Sequence, residues 1–488
     1  MKRLTLGGIA AIVLFIVMNN SSRATDQCYT CHRNLGDAPS SLFAHDIHRL
    51  KGITCAGCHG GNPASEDMEA AMDTAAGFIG APKGNAISAA CAACHSDSMR
   101  MKQFGSTLPT GQWESLRSSV HGAMSVKGGE QIAQCITCHT AHGILPVKDR
   151  LSPVNPLNVV ATCAKCHANA SYMRDYSPSI AVDQVEKYRT SVHGMRNARG
   201  DGKTAQCASC HGSHNILSAK DVKSSVYAEN LPTTCARCHS NAEYMREYGL
   251  PTDQFAKFSR SVHGRALLEK HDRGAPACND CHGNHGAAPP GLESVSKVCG
   301  TCHALNADLF SSSPHKKAFD ERKLPECETC HGNHEIVAAT EQLLGISKVA
   351  VCSKCHQPDT LKKGYVVAAS MRMLIDSLDS SMQRASLLID EAEQKGMEVS
   401  EAKYRLRDAH QARLQSRTMV HSFDEIKFRG VVEKGLVVTS AVTQEAQDAI
   451  HEYYFRRWGL GISTLIISVV VVALYLTLRR IERRQSQS

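Results

Sequence analysis

All 22 cysteines of this 488-residue chain fall into eleven Cys-x-x-Cys pairs, and a histidine follows every pair directly. The pairs are Cys28 and Cys31, Cys55 and Cys58, Cys91 and Cys94, Cys135 and Cys138, Cys163 and Cys166, Cys207 and Cys210, Cys235 and Cys238, Cys278 and Cys281, Cys299 and Cys302, Cys327 and Cys330, and Cys352 and Cys355. Their histidines are His32, His59, His95, His139, His167, His211, His239, His282, His303, His331 and His356. No cysteine is left over, so the fold must be built around whatever these pairs hold.

Cys-x-x-Cys-His is the attachment sequence of c-type haem. Two thioethers at this spacing grip both vinyl-derived carbons of one porphyrin, and the next residue brings its imidazole onto the iron. A disulfide framework, normal for an even cysteine count in an exported protein, and zinc knuckles are the competing readings. Neither accounts for the histidine. Histidine makes up 25 of 488 residues, so chance places one behind a given pair roughly one time in twenty, and behind all eleven essentially never. The pattern predicts eleven haem c groups, with these cysteines as covalent anchors and these histidines as proximal iron ligands.

The motifs sit in a repeat. Asn169-Ala-Ser-Tyr172-Met173-Arg174-Asp-Tyr176 aligns with Asn241-Ala-Glu-Tyr244-Met245-Arg246-Glu-Tyr248, and each follows a motif. Ser-Val-His-Gly recurs at His121, His193 and His263, with a weaker form, Ser-Pro-His-Lys, at His315. His95, His167 and His239 are spaced by 72 residues. The unit is one motif, a linker, a lone histidine, and a second motif that usually carries another histidine three residues on. Five and a half units hold all eleven motifs. In the first unit Asn62 replaces the extra histidine, and the last half-unit keeps only Cys352, Cys355 and His356.

Eleven irons with one proximal histidine each leave eleven axial positions, and fourteen other histidines are available. His142, His214, His285 and His334 lie three residues past a proximal histidine, one turn on if the segment is helical. None can reach round its own haem, so each is expected to ligate a neighbour. His121, His193, His263 and His315 form a second series, His48 holds the equivalent place before Cys55, and His45 serves another haem of the first unit. The eleventh is His421, with His410 as its rival on the same helical face; His271 and His451 read as bystanders. Met173 and Met245, repeated in step, are the alternative ligands or simply pack on porphyrin. An iron held by two histidines has no open site for substrate, and without a methionine ligand its potential is low. Such haems suit anaerobic respiration.

Residues 1–24 have the basic start, apolar run and small-residue end of a secretory signal, with an uncleaved anchor as the other reading. Trp458 to Leu478 is 21 uncharged residues, about 31 Å as a helix, which matches a bilayer core. Arg479, Arg480, Arg483 and Arg484 follow it and belong on the cytoplasmic side, and Tyr453, Tyr454 and Trp458 sit where an aromatic belt belongs. The expected placement is a single-pass protein of the cytoplasmic membrane with its haem domain in the periplasm.

The net charge of +8 does not mark a nucleic-acid binder. Without Lys2, Arg3 and Arg23 it is +5, and without the tail's four arginines and Glu482 it is +2. Two propionates on each haem bring the balance to neutral or acidic.

The expected fold class is mainly α. Residues 25–360 form an undecahaem domain of short helices and loops whose apolar interior is porphyrin, since the stretch carries about one motif per thirty residues. Val367, Met371, Leu374, Leu378, Met382, Ala385, Ile389 and Ala392 recur at helical spacing up to Gly396, and Ser400 opens a second helix towards His421. Residues 361–456 therefore read as a helical hairpin and a membrane-proximal segment from about Val442 to Phe455, with a coiled-coil dimerisation arm as the alternative. Residues 457–478 are the transmembrane helix and 479–488 a basic tail.

From Cys28 to about Asp424 the chain resembles the multihaem cytochromes c. It is most similar to the group with paired Cys-x-x-Cys-His motifs interleaved with Ser-Val-His-Gly and Cys-x-x-Cys-His-x-x-His, including cytochrome c3-like proteins, octahaem and pentahaem reductases and the hydroxylamine oxidoreductase group. The resemblance implies a haem wire working beside a membrane cytochrome b or quinol-oxidising complex and other redox proteins. It departs from the nitrite reductases, which mark a catalytic haem with lysine, and nothing singles out Tyr188, Tyr227 or Tyr404 as the cross-linked tyrosine of the hydroxylamine group. The leading expectation is electron transfer from the quinol pool or a membrane partner, entering near Trp458, to periplasmic or extracellular acceptors. The alternative is an oxidoreductase acting on nitrite, hydroxylamine or tetrathionate at one five-coordinate haem.

Overall fold

Helices end at the haem motifs for a local reason, and that reason sets the architecture. In a computed structural model that describes residues 26–125, 129–290, 295–358 and 362–486, the second motif of every unit closes a short helix at its histidine. The next residue then turns left-handed: Gly60, Thr140, Gly212, Gly283 and Gly332 have φ between +69° and +85°. Thr140 alone lacks the glycine that this conformation favours. The helix therefore cannot run on, and His142, His214, His285 and His334 lie beyond a sharp turn and not on the next helical turn of the same face. The expected signal sequence lies outside the described residues.

The chain divides into two compact units. One comprises Met1–Cys238 with His282–Ala288. Its described part is a succession of short helices, among them Asn85–His95, Val159–His167 and Cys207–His211. Among the described residues there is no strand, only an isolated bridge between Met124 and Gln131. Large buried apolar side chains here are few, notably Tyr29, Phe43, Met101, Val160, Met173 and Val185.

The other unit, His239–Cys281 with Pro289–Ser488, carries further short motif helices and then three long ones, Lys363–Gln394, Ser400–Met419 and Glu425–Gln485. The eight-residue stripe read from the sequence faces inward: Val367 is partly buried, and Met371, Leu374, Leu378, Met382, Ala385, Ile389 and Ala392 join the core. Gly396, at φ +76°, turns the chain back.

The hairpin has a third member. Phe428, Val432, Val442 and Ala446 fill the same core, so the segment from Glu425 packs as a full bundle helix. A Cβ on Gly435 would lie 2.8 Å from Leu378 and 3.1 Å from Ala412, so glycine is what lets the three helices meet there. Arg413 ties the bundle by bonding both Asp379 and Glu341. The third helix has 61 residues, about 90 Å at 1.5 Å per residue, and runs unbroken from the bundle through Trp458–Leu478. Its apolar stretch is fully exposed, as Leu460, Leu465 and Ile467 show.

Candidate haem-binding sites

Where a motif is helical, residues i, i+3 and i+4 share one face, which groups Cys91, Cys94 and His95 on the helix Asn85–His95 and Cys207, Cys210 and His211 on Cys207–His211. Among the described residues no three His, Cys, Asp or Glu side chains converge as a bare metal ion requires. In three units the first cysteines of the two motifs lie against each other: Cys91 beside Cys135, Cys163 beside Cys207 and Cys299 beside Cys327. In the first unit Asp26 plays that part by accepting the backbone N–H of Tyr29 and of Cys55. The two-motif repeat is thus a physical unit.

Eight proximal histidines face a second imidazole. The lone-histidine series looks forward to a first motif: His48 faces His95, His121 faces His167, His263 faces His303 and His315 faces His356, with ring centroids 5.9 to 6.2 Å apart. The other series looks back to a second motif: His142 faces His59, His214 faces His139 and His285 faces His211, each at 6.1 Å. His421 faces His331 at the same 6.1 Å. Rings in direct stacking would be closer. Two imidazoles bonded at about 2 Å to opposite sides of one metal ion have centroids roughly 6.3 Å apart, so these residues fit a haem iron.

The ring planes form two groups. Around the second motifs they are nearly parallel, at 13°, 7°, 7° and 24°. Around the first motifs they cross, at 86°, 56°, 32° and 80°.

Hydrogen bonds fix several rings in the tautomer that binds metal. The Nδ1–H of His59 donates to the Gly80 carbonyl (2.7 Å), that of His421 to Thr418 (3.0 Å) and that of His282 to Ala288 (3.1 Å). A carbonyl only accepts, so the lone pair is left on Nε2. Burial lowers the pKa of His95, His121, His139, His142, His167, His211, His214, His263, His285, His315, His331 and His421, which keeps them neutral.

The family model described as cytochrome c3 matches residues 47–176 and 270–357, and that of cytochrome c554 and c-prime matches residues 14–60. A curated relative, the C-type polyheme cytochrome OmcC of Geobacter sulfurreducens, is 24% identical over 298 residues, covering 53% of this chain and 36% of that protein. The chain is a multihaem c-type cytochrome. It binds haem c. It spans about a third of the length of the curated relative it matches, and no solved structure matches it.

The cytochrome's Ser-Val-His-Gly sequence has a structural cause. Ser119, Ser191 and Ser261 each donate from the hydroxyl to the carbonyl three residues back, and accept the N–H of the glycine three residues on. That glycine cannot be replaced, because a Cβ on Gly122, Gly194 or Gly264 would lie 1.9 Å from a backbone carbonyl. One further bond ties the two distal series together. The residue before the lone histidine donates its N–H to the carbonyl two residues beyond the other series' histidine: Ile47 to Ile144, Val120 to Ile216, Val192 to Ala287 and Val262 to Ile336, at 2.8 to 3.1 Å.

The remaining candidates are placed as follows. His193 lies in the helix Val192–Ala198 capped by Ser191, His239 ends Leu231–His239, and His334 has Nδ1 3.2 Å from Asn333 Oδ1. His32 is exposed with Nδ1 2.5 Å from Asp37, and His45 is exposed too, with no ring facing it among the described residues. His410 is exposed. Met173 and Met245 are buried side chains of the motif-following helices. His356 faces His315, 41 residues before it.

Sequence reading missed Asp46, only 1% exposed. It accepts from His48 Nδ1 and the His48 N–H, both 2.8 Å, and from the Ile144 N–H at 2.7 Å. Burial opposes its ionisation, but these bonds outweigh burial and hold its pKa below the ordinary value. The signal was present as Asp-Ile-His.

Proposed function

We propose that the cytochrome is a membrane-anchored, periplasmic electron conductor of eleven haems. It would pass electrons between the quinol pool or a membrane partner and periplasmic or extracellular acceptors in anaerobic respiration. The eight imidazole pairs at 5.9 to 6.2 Å carry this reading. Bound haem supplies one-electron chemistry as its iron alternates between ferric and ferrous.

Everything else falls to the chain. Its 22 cysteines would anchor the porphyrins and its eleven motif histidines would each hold an iron. His48, His121, His142, His214, His263, His285, His315 and His421 would supply a second imidazole to eight of them, leaving no room there for substrate. His193 and His334 stand at the same register in their two series, and His45 is assigned to the first unit. In three units the adjacent first cysteines would bring two attachment points together, so that neighbours in sequence are neighbours in the conduction path.

Residues 1–24 would direct export, Trp458–Leu478 would cross the cytoplasmic membrane, and the arginine tail would stay inside. Partners are then other redox proteins, a membrane cytochrome b or quinol-oxidising complex among them. A reductase acting on small nitrogen or sulfur compounds is not the reading the comparisons favour. An intact-mass measurement tests the count: a mature chain heavier than its polypeptide by eleven haems is expected, and a smaller increment overturns it.

A further inference from the structure

We infer that the three-helix bundle makes no electron connection between the bilayer and the tenth and eleventh haem sites, and that a second redox protein standing beside the bundle makes it. The inference rests on the conductor reading and decides between its two proposed donors.

Both ends of the bundle can be placed. At one end the loop between the second and third helices presents His421 to His331 at 6.1 Å. It also sets Phe423 against His315 at 3.8 Å, and His315 faces His356 at 5.9 Å. Gly364, in the first turn of the first helix, lies so near His356 that a Cβ there would be 2.3 Å from the ring. The tenth and eleventh motifs thus sit on this end. At the other end the Lys395 ammonium lies 5.5 Å and 5.3 Å from the rings of Tyr453 and Tyr454, just before the apolar segment. From Asp424 to Tyr453 the rise is about 45 Å.

Nothing in that span can relay an electron. The bundle carries no cysteine, and apart from Phe428 at its haem-site end its core has no aromatic ring, with Leu378, Ile389, Val432 and Val442 among the fully buried residues. Between Phe428 and Tyr453 the third helix has no Phe, Tyr, Trp or Cys. Electronic coupling through protein falls exponentially with distance, and 45 Å is many times the 6 Å across which facing imidazoles share a metal. Nor is the rod hinged. The third helix has no proline and passes Gly459 and Gly461 unbroken, and the Ser381 and Thr439 hydroxyls bond at 2.8 Å in mid-bundle. The bundle is a spacer that holds the last haem sites away from the lipid, so an electron expected to enter near Trp458 has no path onward through it.

The partner that fits is a protein with its own haem or iron–sulfur group at the height of the bundle. It is oxidised by one electron as one ferric iron of the cytochrome becomes ferrous.

The test uses the full-length holoprotein in liposomes containing a long-chain quinone that cannot leave the bilayer. Oxidised cytochrome is mixed with the quinol form, and dithionite-reduced cytochrome, freed of excess reductant, with the quinone form. One direction must be downhill. Neither mixture should equilibrate until a water-soluble mediator such as phenazine methosulfate is added, after which the haem absorbance should shift in one of them. Equilibration without mediator overturns the inference. Absence of a haem response to dithionite itself would instead overturn the conductor reading beneath it.

Discussion

His421 faces His331 across 90 residues of sequence, with ring centroids 6.1 Å apart and planes 24° from parallel. Its Nδ1–H is occupied by the Thr418 carbonyl at 3.0 Å. The first residues after the second bundle helix therefore complete a site whose other half lies in the tenth motif, while His410, one helix earlier, points to solvent.

Replacing His421 with alanine should open one iron in eleven. The reduced variant should bind carbon monoxide at that fraction of its haem, read as a change in the Soret band. His410→Ala should bind none. Equal behaviour of the two variants would contradict the assignment.

Asp46 holds His48 and Ile144 in one place. Asp46→Ala leaves the half-buried Ile144 N–H without its acceptor, which costs about 1–3 kcal/mol, seen as a lower Tm. Asp46→Asn keeps one acceptor oxygen and should recover only part of that loss, because its NH2 must face either the His48 or the Ile144 donor. Loss of His48 orientation should also alter the low-spin signal of one haem in the alanine variant, a change that a general loss of packing would not confine to a single site.

Gly264 sits where a Cβ would meet the Phe258 carbonyl at 1.9 Å. Gly264→Ala must move backbone to fit, and overpacking of this kind costs upward of about 3 kcal/mol. Reduced yield of holoprotein is expected, with thermal unfolding at markedly lower temperature in what remains. An unchanged melting curve would mean that the helix from Val262 to Leu268 packs differently.

The two groups of ring angles have an electronic consequence. Parallel imidazoles push on the same iron d orbital and split the d pair widely, whereas crossed imidazoles push on both and leave them nearly degenerate. Low-temperature EPR of the ferric protein should resolve two low-spin populations, one rhombic and one with a strongly anisotropic, high g maximum. His59→Met should deplete the rhombic set and His95→Met the other. A single homogeneous signal would contradict the alternation.

Much of this was legible in the sequence because haem attachment is written locally. Cys-x-x-Cys-His states its ligand in five residues, and the repeat exposed both distal series. The direction of each series was not legible. It depends on the left-handed turn after His139, His211 and His331, which aims the following histidine away from the helix axis. The partner of His356 was not legible for a similar reason: Ser-Pro-His-Lys is a weakened copy of its motif, and only the fold shows that His315 keeps the forward register. The third bundle helix was overlooked because small residues, Gly435, Thr439 and Ala446, make up half its buried face and blur the apolar stripe. Asp46 was missed because a lone carboxylate beside a histidine is common, and only burial shows that it orients one.

Spin quantitation of the oxidised protein by low-temperature EPR, set against total haem, tests the central claim most directly: that every iron is closed by a second histidine. The account predicts that low-spin signals contain essentially all the iron. A high-spin ferric signal amounting to one iron in eleven or more would contradict it.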